Sequence, residues 1–287
     1  MHVGRKYKFA QFLAWTAWEA AALVAWALLV TAFLQLTHWT FLTVPVAVLT
    51  IVGSALAIIL AFKNQQCYAR SNEALSLSGQ LISNSLIFAN KLTSIAANPQ
   101  AAPADIGLKE IFYRHFAWLT SLRFFLRATK PWENAGETGN ARYLAGLPTP
   151  ESRSSLQGEL TPLLSDAELR QALAHPGDRE ALILHWQYQA ISHLHARTLI
   201  SEYMFFALTG VLDDLARLQG ALKRIKTYPY ARNFYSIAVF LVAIFVALVP
   251  FGLFPYAQEL GKPAGIAHCT VWLNVPCLLY TSDAADE

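Results

Sequence analysis

Charge is scarce in this chain. Asp, Glu, Lys and Arg make up 14% of its 287 residues, against about 25% in ordinary soluble domains. So little charge, beside 55% hydrophobic residues, argues against a wholly water-soluble protein. Cysteine is scarcer still. Cys67, Cys269 and Cys277 are widely spaced and form neither a CxxC pair nor a disulfide framework, so they read as structural thiols and no thiolate metal site is expected. A net charge of +3 is too small to imply a nucleic-acid partner. GxSxG, P-loop and GxGxxG motifs are all missing, which removes the nucleophile elbow, the triphosphate-binding loop and the dinucleotide fingerprint. No cofactor is expected. Alternating β-branched patterns are few and no internal repeat occurs, so strands should be rare and the fold all-α.

What the chain does have is long apolar runs. A bilayer core needs roughly 20 mostly apolar residues in a helix. Residues 18–36 meet this with one acid, Glu19, at the edge. Residues 41–62 carry no charge, and neither do residues 234–256. A fourth run, 265–280, is shorter and interrupted by Asn274 and Pro276. Four spans are therefore expected. Basic residues favour the cytoplasmic side. Arg5, Lys6 and Lys8 precede the first span, "THWT" between the first two has no basic residue, and residues 63–232 hold 18 of the 22 Lys and Arg. The N-terminus is thus expected inside, with a large cytoplasmic insert between spans two and three. The first run is too long for a signal-peptide core and no small-residue cleavage site follows it, so it reads as an anchor.

The insert is helical by pattern. Leu75, Leu77, Leu81, Ile82, Leu86, Ile87 and Leu92 recur at helix-like spacing over 63–97. Further helices are expected over 108–127, from Ser165 to about His175 with a Ser165/Glu168 capping box, from Pro176 or Asp178 to about Glu202, and over 204–226. Residues 128–165, rich in Gly, Pro, Ser and Glu, read as a long connection.

Chemistry-bearing clusters are thin. His185, His193 and His195 share one expected helix, but His193 and His195 are two apart and diverge, whereas metal ligands on one face need i, i+3 or i, i+4 spacing. Asp213 and Asp214 are adjacent, so they point about 100° apart and suit a solvated or salt-bridged face. No metal site and no catalytic residue is assigned, and the chain is not expected to be an enzyme. Spans two and three lack the ionisable residues that intramembrane catalysis would need. The stronger signal is in the second span. Ser54, Ile58 and Phe62 fall at i, i+4 and i+8 on one helix face. In a symmetric oligomer each would become a ring, and apolar rings can gate a pore by dewetting. A lipid-facing or packing stripe would have the same spacing. Gly53, Ser54, Ala55, Ala57 and Ala61 also permit close helix approach.

Several stretches, in order, resemble the bestrophins of bacterial type. "GSALAIILAFKN" is similar to that family's pore helix, and "FKNQQCYARSNEA" to its Phe-Arg-x-Asn…Tyr-x-Arg-x-x-Glu-Ala motif. "LQGALKRIKTYPYARNFY" resembles its Arg-Ile-Lys and Pro-aromatic-Pro segment, "LVPFGLFP" its third span, and "WLNVP" the opening of its fourth. The resemblance covers roughly two-thirds of the chain. It implies a homopentameric channel in a cell membrane, the inner membrane of a bacterium, passing chloride or other small anions, with some relatives favouring cations. It places the neck rings on Ser54, Ile58 and Phe62, the pore-helix motif on Lys63, Asn64, Tyr68, Arg70 and Glu73, and a structural motif on Arg224, Pro229, Pro250 and Gly252. The implied organisation is 1–62 with the first two spans, 63–232 as cytoplasmic helices, 233–280 with spans three and four, the fourth truncated, and 281–287 as a tail unlike the family. Ser54 stands for a bulky apolar residue, Lys63 for an Arg, Ser71 and Asn72 for two Trp, Lys223 for an acid and Ala231 for the second Pro. Two other readings remain: a cation-selective relative, or a non-conducting membrane sensor or scaffold.

Overall fold

A computed structural model describes residues 9–96, 107–133, 141, 149–228 and 232–262. The fourth span expected over 265–280, the tail 281–287, the basic residues Arg5, Lys6 and Lys8, and Pro229 lie outside the described residues. Every regular element among the described residues is helical. In chain order they are α1 (Phe9–Thr37), a 3₁₀ turn (Thr40–Leu42), α2 (Val46–Ala96), α3 (Leu108–Arg127), a 3₁₀ turn (Pro150–Ser152), α4 (Leu156–Leu160), α5 (Asp166–Ala174), α6 (Arg179–Ala196), α7 (Glu202–Thr227) and α8 (Arg232–Gly261). Three of them, α1, α2 and α8, are long and apolar enough to cross a membrane. The chain divides into two compact units, residues 1–69 with 230–287, and residues 70–229.

In the first unit α1 packs on α8. Val30 and Leu34 cluster with Phe254, and Ala27 with Val249. Two prolines, Pro250 and Pro255, lie inside α8. A proline cannot donate to the carbonyl four residues back, so Pro255 leaves the Phe251 carbonyl without its helical partner. The Val44 N–H donates to that oxygen at 3.4 Å, which matters where water cannot reach the backbone. Gly252 lies beside the same segment. A Cβ there would sit 3.1 Å from the Val44 carbonyl oxygen and 3.0 Å from Leu49 Cγ, so the close approach of residues 44–49 depends on glycine.

The second unit has one apolar core drawn from α2 to α7. Phe88 and Leu92 of α2 bury against Trp118 and Leu122 of α3, Ile183 and Ile191 of α6, and Leu208, Leu212 and Leu215 of α7. The helix starts follow local chemistry. Ser165 accepts from the Glu168 N–H while the Glu168 carboxylate accepts from the Ser165 N–H, so both halves of the expected capping box form. Asp178 caps α6 by accepting from the Ala181 N–H at 3.0 Å.

Three expectations need correction. The second span was expected from residue 41, yet Thr40–Leu42 form a 3₁₀ turn and α2 begins at Val46. Pro45 disfavours helical geometry at Val44, and its own fixed φ suits the helix that starts directly after it. The helix expected to reach Glu202 ends at Ala196. Thr198 takes a positive φ of 58°, costly for a β-branched residue, and Ser201 caps α7 by accepting from the Met204 N–H. The connection expected over 128–165 holds α4, started by Ser155 accepting from the Gly158 N–H, and its Leu160 is fully buried.

Candidate functional site

Helix α2 runs without interruption from Val46 to Ala96, about 75 Å at the usual rise per residue. That is far more than the roughly 30 Å of a bilayer core. No Gly-Pro or Asx turn interrupts it where the apolar run gives way to Lys63 and Asn64.

Ser54, Ile58 and Phe62 all lie on the exposed side of α2. Ile58 is 58% and Phe62 67% exposed in the single chain, too apolar and too open for a surface meant for water alone. The opposite side carries the packing: Leu56 is buried, and Gly53 lets Phe245 of α8 approach to 3.1 Å of where a Cβ would be. Ser54 donates to the Ile51 carbonyl at 2.9 Å, so its hydroxyl is satisfied by its own helix.

The motif residues beyond Phe62 divide by role. Asn64 and Tyr68 are exposed, and Lys63 is half-buried. Arg70 donates to the Ile225 carbonyl near the end of α7, and Glu73 pairs with Arg224 at 2.7 Å. The "YARSNE" motif of α2 and the "KRIK" motif of α7 therefore join two helices far apart in sequence. Pro250 and Gly252 are buried in the first unit.

Lys223 sits where the resemblance leads one to expect an acid, and the structure shows what it does. Its ammonium lies 2.5 Å from both Asp178 and Glu180 and 4.4 Å from the Phe125 ring centroid. Ser121 donates to Glu180 at 2.7 Å, and Trp118 Nε1 donates to Gln219 at 2.6 Å. Burial pushes the Asp178 carboxyl up, but the Lys223 ammonium and the Ala181 N–H outweigh it and hold it below its ordinary value. Sequence reasoning missed this network because the acids come from α6, over forty residues away. It also missed the bond between Val44 and the carbonyl that Pro255 leaves open.

His115 was not singled out in the sequence either. It is 5% exposed, its ring lies 5.3 Å from both Phe88 and Trp118, and neither ring nitrogen has a hydrogen-bond partner. Burial lowers its pKa to about 4, so the imidazole is neutral at physiological pH. The three histidines of α6 do not converge: His185 and His193 are exposed, while His195 stacks on Phe205 at 4.7 Å. Asp213 accepts from the Tyr188 hydroxyl at 2.5 Å and Asp214 pairs with Arg217 at 3.4 Å, so the two carboxylates serve different partners.

The class that emerges is an all-helical membrane protein whose longest helix carries an exposed apolar stripe and continues into a polar stretch. The chain belongs to the bestrophin family. Residues 11–267 match the family model described as Bacterial/Fungal Bestrophin protein. Two curated relatives, from Salmonella typhi and Salmonella typhimurium (strain LT2), are each named "Voltage-dependent anion channel-forming protein YneE". They are 25% identical to this chain over 228 residues, 78% of its length, and the chain spans 64% of theirs. A crystal structure of a bacterial bestrophin homologue from Klebsiella pneumoniae superposes with a TM-score of 0.72 at 21% identity, covering 94% of this chain and 87% of that one.

Proposed function

We propose that this chain is the subunit of a homopentameric channel that passes chloride or other small anions through an apolar neck. The observation that carries the reading is the exposed row Ser54, Ile58 and Phe62 on an unbroken α2, opposite the side that packs. Five copies around an axis would turn each position into a ring. Ions would shed part of their hydration at the Ile58 and Phe62 rings, where a narrow apolar wall favours dewetting. Family membership and the anion-channel name of the Salmonella relatives support the same reading.

Placement follows from charge. The N-terminus faces the cytoplasm of a bacterial cell, residues 63–232 form the cytoplasmic helices, and residues 233–280 return to the inner membrane. The first two spans fall within residues 1–62, and residues 281–287 are a tail. Residues 63–232 carry 18 basic and 14 acidic residues, a bias that favours anions in the vestibule. Tyr68, Leu75, Ile82 and Leu86 form a second exposed row on α2, suited to contact between subunits. A sensor or scaffold would instead need that row open to a partner after assembly.

The test is reconstitution of purified pentamers in planar bilayers under asymmetric potassium chloride. An anion-selective reversal potential is expected. A cation-selective potential would overturn the anion assignment alone, and silence from intact pentamers at every voltage would overturn the channel. Phe62→Ala should raise conductance severalfold by widening the constriction; unchanged currents would remove Phe62 from the neck.

A further inference from the structure

Tryptophan marks both ends of the apolar run of α1. Residues Ala20–Thr37 form the stretch long and apolar enough to cross a membrane, and Trp18 and Trp39 flank it. Both side chains are exposed. Thr37 follows Trp18 by 19 residues, an advance of about 29 Å along a helix, against roughly 30 Å for a bilayer core. Trp26, exposed as well, lies between the two ends. No Asp, Glu, Lys or Arg occurs from Ala20 to Phe62.

The far end is a built cluster within the first unit. Thr37 Oγ1 donates to the Phe33 carbonyl at 2.8 Å, and the His38 N–H donates to the Leu34 carbonyl at 3.2 Å. His38 then takes a positive φ of 51°, the left-handed step that commonly closes a helix. Past it, Trp39 meets Phe33 edge-on with ring centroids 5.7 Å apart, and Phe41 lies 5.3 Å from Trp39. Leu42 packs against the cluster of Val30, Leu34 and Phe254. Tyr256, two residues beyond Phe254 on α8, is therefore at the same end, and it too is exposed. Glu259 follows within a turn.

We propose that Trp18 at one end, and Trp39 with Phe41 and Tyr256 at the other, sit in the two headgroup–acyl boundaries of the bilayer and fix the depth of α1. An indole has a broad apolar body and one N–H donor, and a phenol has a hydroxyl. Both suit a boundary that is oil on one side and wet on the other. The partner of this surface is lipid and not a neighbouring subunit, because the separation of the two ends matches the thickness of the hydrocarbon layer. A contact between subunits would not need that separation, nor aromatic rings at both ends of a charge-free run. The anchors hold their place whether or not the assembled protein conducts.

The test measures tryptophan fluorescence of the full-length protein in phosphatidylcholine vesicles brominated either near the headgroup end of the acyl chains or near their tips. Trp18→Phe, Trp26→Phe and Trp39→Phe are compared with the unsubstituted chain, so that each difference reports one ring. The components lost with Trp18 and with Trp39 should be quenched severalfold more by the shallow bromines than by the deep ones. The component lost with Trp26 should show the reverse order. Trp39→Tyr, which keeps a ring with a polar tip, replaces Trp39→Phe if that variant fails to assemble. A Trp18 or Trp39 component quenched by neither lipid would place that ring against protein and overturn its assignment to lipid. Stronger quenching of either by the deep bromines, or shallow quenching of all three, would overturn the depth assigned to α1.

Discussion

From Val46 to Phe62, α2 bears apolar side chains on every side; beyond Lys63 its apolar residues sort into a buried row and an exposed one. In the first stretch Leu56 is buried while Ile51 stays 69% exposed and Ile58 and Phe62 stay open. In the second, Phe88 and Leu92 have no exposure, and Gln65, Asn72 and Gln80 occupy a different side. On the topology proposed above, the same backbone geometry serves two surroundings. Where lipid or a neighbouring subunit is the solvent, burial within the chain need not decide where a leucine goes. Where water is the solvent, it must. The contrast shows why an apolar run announces a membrane helix while saying little about which side of it matters.

The largest expected effect tests the difference directly. Trp118 has no exposure and donates to Gln219. Trp118→Ala should cost about 3–5 kcal/mol through the cavity it leaves, read as a lowered thermal midpoint of the detergent-solubilised protein. Ile51→Ala, on the open side of the apolar stretch, should stay within about 0.5 kcal/mol. Equal losses from the two substitutions would break the comparison.

Next in size is the acid response of the second unit. His115 is neutral and unpartnered when folded, with a pKa of about 4 against 6.5 when unconstrained. Between those values the unfolded chain binds a proton that the folded chain does not. Stability is therefore complete above about pH 6.5 and falls as pH drops toward 4, by at most about 3 kcal/mol. Thermal unfolding across that range should show the loss, and His115→Leu should flatten it. A wild-type midpoint that does not change from about pH 7 to about pH 4.5 would show that the imidazole finds an acceptor.

Much of this was legible in the residues themselves. The charge-free run announced a membrane helix because nothing else accommodates so many apolar side chains, and Ser165 with Glu168 marked its helix start because capping is local chemistry. Features that depend on distant partners were not legible. Val44 donating to the carbonyl freed by Pro255 joins residues about two hundred positions apart, and no spacing rule links them. Lys223 looked anomalous by resemblance until Asp178 and Glu180 arrived beside it from another helix. His115 shows no sign of burial in "IFYRHFAWL". The end of α6 was missed because Thr198 adopts a backbone conformation its side chain disfavours. The row Ser54, Ile58 and Phe62 was readable as a register; reading it as a neck is our proposal, which the family match supports.

The smallest expected effect concerns Glu73 and Arg224, the pair that joins the two sequence motifs. Both side chains are largely open, at 47% and 63% exposure. Their attraction is weakened by water and salt, and each long side chain loses freedom in making the contact. A double-mutant cycle with Glu73→Ala and Arg224→Ala should therefore give a coupling of only about 0.2–1 kcal/mol, shrinking further at high ionic strength. The neighbouring Arg70, half-buried and donating to the Ile225 carbonyl, satisfies a backbone oxygen near the end of α7, and that contact is less screened. If the Glu73–Arg224 coupling exceeded that of buried pairs, the assembled protein would be excluding water from this site, and the exposure seen in the single chain would mark a contact between subunits. A coupling that fades with salt would keep the pair on the watered side of α2, where Asn72 and Gln80 are exposed as well.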